Sequence, residues 1–130
     1  MKELFAELEQ IIENTYKDGV AQDEAEKLAA RFLHAQMVIS NHLRTADLDA
    51  RMRKSGLKTI KSTVYMEAAT KGEKKPTEAM LTSIIDSHEI VNSEQSNLDK
   101  AEVSKAELER WYDICINSHI YFRNIGKGSL

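Results

Sequence analysis

Arg51, Lys54, Lys58, Lys61 and Tyr65 recur at steps of three, four, three and four. On a helix of 3.6 residues per turn these five side chains fall within roughly 80° of one another. Cations along such an edge can meet phosphates, and the tyrosine ring can stack on an unpaired base. Leu57, Ile60 and Val64 form a second stripe, about 100° to one side and apolar. One helix can therefore bury one edge and offer the other to a polyanion. Lys71, Lys74 and Lys75 follow in a polar break and can extend the cationic surface. The plainer reading of the same stripe is a solvated helix face.

Other chemistry is hard to assemble. His34, His42, His88 and His119 include no HExxH pair, and there is no CxxC for zinc. Asp86 and His88 stand two apart and point in different directions on a helix. No glycine-rich phosphate loop or nucleophile elbow occurs, and the carboxylates are scattered along outer helical positions. The sequence is read as that of a non-enzyme with no cofactor.

The overall charge of −3 predicts no polyanionic partner, but its distribution does. Residues 51–75 carry eight Lys or Arg against Glu67 and Glu73, a net charge of +6. The remainder carries ten basic and nineteen acidic residues. A molecule so polarised can attract nucleic acid on one face, or its two halves can neutralise each other.

The elements that must position the stripe read as helices. Pro76 is the single proline and there are only five glycines, whereas good helix formers abound. The fold class expected is all-α, one domain over 1–130. A short acidic helix spans about 2–17, with Leu4, Leu8, Ile11 and Ile12 on one face, Phe5 and Tyr16 at its edge, and Asp18-Gly19 to end it. A long helix spans about 22–70. Its seam runs Ala25, Ala29, Phe32, Gln36, Ile39, Leu43, Ala46, Ala50, Arg53, Leu57, Ile60, Val64 and Ala68, which is coiled-coil spacing. Gly56 is its weak point, but the seam keeps phase across it. Gly72 and Pro76 break the chain, and Thr77 can start a third helix over about 77–125. That helix has a polar middle at Glu102–Lys105, where the seam slips as a stutter would.

Helices of more than forty residues would reach about 65–70 Å. A compact globule of this length is about 35 Å across. An elongated hairpin, a bend or assembly with other copies is implied. The last helix is apolar on several sides, and Leu108, Trp111, Cys115, Phe122 and Ile125 are the expected homo-oligomer interface. The first helix is the other element able to cover them. The lone Cys115 suits a reducing cytosol, and Met1–Phe5 leads into Glu7 and Glu9 rather than an apolar signal run. No stretch approaches the roughly 18 apolar residues of a membrane span. A cytoplasmic protein without membrane contact is expected.

In organisation the chain resembles the small phage recombination-mediator proteins of the UvsY type. The stretches that carry the likeness are Arg51-Met-Arg-Lys-Ser-Gly-Leu-Lys-Thr-Ile-Lys61, then Tyr65, then Lys71-Gly-Glu-Lys-Lys-Pro76, with Trp111–Phe122 as the assembly part. The resemblance spans about residues 45–125. It implies a ring-forming, non-enzymatic accessory factor in the host cytoplasm. Such a factor binds single-stranded DNA, contacts a single-strand-binding protein and helps load a recombinase. The acidic first helix would then be a protein-contact surface. The alternative expectation is a coiled-coil interaction module, such as a phage-encoded adaptor or inhibitor of a host protein.

Overall fold

The computed structural model describes residues 1–72 and 74–128. Among them four helices and no strand occur: α1 Lys2–Asp18, α2 Gln22–Thr70, α3 Glu78–Ser87 and α4 Glu89–Gly126. The all-α expectation therefore holds. Gly19 ends α1 with φ of 72°, a conformation that a side chain would oppose. Its N–H closes on the Thr15 carbonyl at 2.9 Å. Gly56 leaves α2 continuous over its 49 residues.

The expected third helix is two helices. His88 leaves the helical region, with ψ of 127°, and its N–H bonds the Ile85 carbonyl. Its ring Nδ1 accepts the Ile90 N–H at 3.2 Å, and its carbonyl accepts from Asn92. The imidazole thus caps α4 in the manner of a serine or aspartate. Thr77 caps α3 by accepting the Met80 N–H at 3.2 Å.

The backbone divides into two compact units. The first combines Met1–Arg44 with the chain from Ala106 onward; the second is Thr45–Lys105. In the first, Phe32 and Phe122 stack at 5.5 Å between ring centroids, and Phe5 lies on Trp111 at 5.0 Å with planes 5° apart. Leu8, Ala25, Ala29, Ala35, Ile39, Leu108 and Cys115 complete this core. Phe5, which its position placed at the edge of α1, is a core residue. Arg31 of α2 clamps Glu7 of α1 through its Nε and Nη2, the Nε bond being 2.8 Å. That bond holds the Glu7 carboxyl below its usual range.

In the second unit Leu57, Val64, Val91 and Leu98 form one cluster, with Ile60 and Ile85 packed against it. The α4 seam slips by one residue after Lys105, running Val91, Leu98 and Lys105 before the slip and Trp111, Ser118 and Ile125 after it. It passes through the half-buried Ala101 and Lys105, and the Lys105 ammonium is taken up by Asp47 at 2.9 Å. Arg53, expected inside the α2 seam, is exposed and pairs with Asp49 at 3.1 Å.

Two substitutions test this packing in opposite directions. Phe32→Ala should lose about 3–5 kcal/mol, the cost of an aromatic-sized cavity. Gly56→Ala should gain up to about 1 kcal/mol, because a methyl there meets nothing within 4 Å and the position is helical. Urea unfolding followed by circular dichroism reads both.

Candidate nucleic-acid interface

The phase of α2 fixes the interface. Leu57 and Val64 are drawn into the core, so Arg51, Lys54 and Lys58 emerge into solvent while Lys61 and Tyr65 lie half-buried at its margin. The five residues share one edge of α2, as their spacing requires.

They are not equivalent. Asp47, one turn before Arg51, accepts from its guanidinium at 3.1 Å and from Lys105 at 2.9 Å. Bonding to Lys105 and the charge of both partners hold the Asp47 carboxyl below its usual range. Arg51 therefore begins the stripe already engaged. Lys54, Lys58 and Lys61 make no ion pair among the described residues. Tyr65 is also tethered, its hydroxyl donating to Glu78 Oε1 at 3.0 Å. That bond and the adjacent carboxylate push the phenol above its ordinary value, so it stays protonated.

Lys58, Lys61, Ser62, Tyr65, Met66 and Ile85 line an open hollow of about 380 Å³. It is cationic on one side, with Tyr65, Met66 and Ile85 supplying apolar contact. Lys71, Lys74 and Lys75 are exposed in the segment after α2. The Thr45–Lys105 unit nevertheless carries ten basic and ten acidic residues, because the acidic 76–105 stretch folds into it. The stripe is a local feature on a balanced unit.

The residues expected to join copies lie elsewhere. Leu108, Trp111, Cys115 and Phe122 are buried, and Ile125 is half-buried. Phe5 and Phe32 of the same chain stack on Trp111 and Phe122. α1 covers Trp111 and α2 covers Phe122, so these four side chains are buried within the chain itself. Burial pushes the Cys115 thiol up to about 11, away from nucleophilic chemistry. On α1, Glu7 is bound to Arg31 and Glu13 to Lys17 at 3.0 Å, which reduces the acidic contact surface expected there. Among the described residues, no three His, Cys, Asp or Glu gather to hold a metal ion, and no helix is long and apolar enough to cross a membrane.

Sequence reading missed three contributors. Asp47 had a signal, standing four residues before Arg51. Glu78 and Ile85 had none, since they reach the stripe only once α3 folds back onto α2.

The Asp47 carboxyl titrates lower in the folded protein than unfolded, so its contribution is present above the unfolded value. It is lost as pH falls through the folded one. Thermal unfolding followed from about pH 6 down to about pH 2 should show a steeper acid decline for the unmodified protein than for Asp47→Asn. Parallel curves would mean that the Arg51–Asp47–Lys105 contacts add nothing.

The chain matches no protein-family model, and neither curated proteins nor solved structures yield a match.

Proposed function

We propose that this protein is a non-enzymatic accessory factor that binds single-stranded nucleic acid along the lysine edge of α2. The resemblance to UvsY-type phage mediators favours DNA as the strand and a recombinase or single-strand-binding protein as further partner. The observation that carries the reading is the hollow bounded by Lys58, Lys61 and Tyr65 and backed by Ile85. Duplex DNA hides its base faces, whereas an unpaired base can lie against a ring and an aliphatic side chain while ammonium groups meet the flanking phosphates. Tyr65, held by Glu78, has less freedom to lose on stacking.

A single chain offers three uncommitted lysines on this edge, so binding should be weak and strongly salt-dependent. Assembly of several chains along one strand would raise the affinity through effective concentration. Lys71, Lys74 and Lys75, next to the same end of α2, supply further phosphate contacts.

A second reading, a helical adaptor for a protein partner, is favoured by the first unit. There Ile12, Tyr16, Tyr121 and Phe122 line an open apolar hollow of about 440 Å³, and Tyr16 is 90% exposed.

Fluorescence anisotropy with a labelled oligothymidine separates the two. Lys54, Lys58 and Lys61 changed together to Ala should abolish binding and retain helicity. The double-logarithmic salt slope of the unmodified protein should be at least about 2, the value for three phosphates on a single strand. Arg51→Ala should cost less than Lys58→Ala, because Asp47 already engages the guanidinium. No salt-sensitive binding at low ionic strength would sink the nucleic-acid reading and leave the adaptor.

A further inference from the structure

The hollow on α2 has a donor side and an acceptor side. Lys58 and Lys61 supply ammonium donors. Further along the helix, Tyr65 commits its hydroxyl hydrogen to Glu78 Oε1 at 3.0 Å. What is left beyond the ring is acceptor only: the phenol oxygen, the second lone pair of Oε1 and the whole of Oε2. No cation pairs with Glu78 among the described residues. A carboxylate at this place lowers the general attraction for phosphates, so any favourable part it plays is with a base.

Its position is fixed from two sides. Thr77 caps α3 by accepting the Met80 N–H, and Leu81, one turn on from Glu78, is buried. The backbone of Glu78 is therefore held in the first turn of α3, while Tyr65 holds the carboxylate itself. A base stacked on the Tyr65 ring would turn one edge toward that carboxylate.

The bases differ in what they bring to such a rim. Thymine and uracil place a carbonyl oxygen on each side of their ring N–H, so acceptors would face acceptors. Cytosine and adenine each offer one amino group next to a ring nitrogen that accepts. Guanine carries two adjacent donors, N1–H and the 2-amino group, at the spacing of the two oxygens of a carboxylate. Its acceptors, O6 and N7, lie on another edge, where a lysine ammonium can meet them. The segregation of donors and acceptors in guanine is the complement of that in the hollow.

We infer that Glu78 gives the hollow a preference for guanine among unpaired bases, taking N1–H and the 2-amino group on the carboxylate that Tyr65 holds. The inference rests on the nucleic-acid reading and adds a base preference to it. It also requires a single strand, because cytosine occupies the same guanine edge in a duplex.

Fluorescence anisotropy with labelled strands of equal length and charge tests it: oligothymidine, the same strand with isolated guanines, and that strand with inosine in place of guanine. Inosine lacks only the 2-amino group, and phosphate contacts cancel in the comparison. The guanine strand should bind roughly five- to tenfold more tightly than oligothymidine, the low end for a bidentate base contact because the hollow is open to water. The inosine strand should fall between them. Glu78→Gln should remove most of the difference between guanine and inosine and leave oligothymidine binding no weaker, since a charge facing the phosphates is gone. Tyr65→Phe keeps the ring but frees the carboxylate, and should shrink the preference. Equal affinity for the guanine and inosine strands, with oligothymidine still bound, overturns the guanine preference and leaves the nucleic-acid reading standing. A preference unchanged in Glu78→Gln overturns the assignment to Glu78. Failure of all three strands to bind at low ionic strength sinks both.

Discussion

α2 has a single apolar seam to surrender to its own chain, and the phase of that seam decides the exposure of every other side chain on it. Leu57 and Val64 are held inward by Val91 and Leu98. Rotating α2 by one residue would carry the seam about 100° out of the core and bring Lys58 toward it. Burying an unpaired ammonium costs several kcal/mol or forces its deprotonation, whereas each lost Leu or Val contact costs about 1.5–3 kcal/mol. The lysine edge is thus exposed as a consequence of the core. A local change in charge cannot move it, and a change in the core can.

Asp47 is the place where that arrangement meets the cationic edge. Its carboxylate satisfies Lys105, which stands in the seam of α4 where an apolar residue would be simpler. The same carboxylate takes Arg51 out of the free cationic edge. Exposed pairs of this kind contribute little stability, typically below about 1 kcal/mol. Their effect here is on register and field. Lys105 fixes where α4 lies along α2, and the positive potential shifts toward Lys54, Lys58 and Lys61. With ten charges of each sign in the unit, attraction for a polyanion is confined to that patch and screened within about 10 Å at 0.1 M salt.

Much of this was legible in the residues, because period and punctuation are local. The α2 seam, the Gly19 stop, the break at Gly72 and Pro76 and the Thr77 cap follow from spacing and backbone preference. The His88 break is different. Histidine is not a favoured cap, and the apolar period ran through it without interruption, so nothing in the sequence separated α3 from α4. The aromatic residues of α4 show a second limit. Periodicity reveals that Trp111 and Phe122 must be covered, but not by what. Phe5 and Phe32 supply the answer through contacts ninety or more residues apart along the chain. The polar stretch near Glu102–Lys105 belongs to the seam all the same, because Lys105 lies half-buried against α2 with its ammonium on Asp47.

The candidate interface was legible in part for the same reason. The cations and Tyr65 lie on one helix, so their spacing alone puts them together. The apolar side of the hollow and the restraint on Tyr65 come from α3, whose return onto α2 depends on tertiary packing. That division bears on affinity. Charge alone, from three lysines, yields attraction that salt removes and that does not distinguish single from double strands. Discrimination requires a surface that an unstacked base can occupy and a paired base cannot. In the proposed reading that surface is the hollow that Ile85 closes beside Tyr65, so selectivity for single strands would depend on α3 staying docked rather than on the number of lysines.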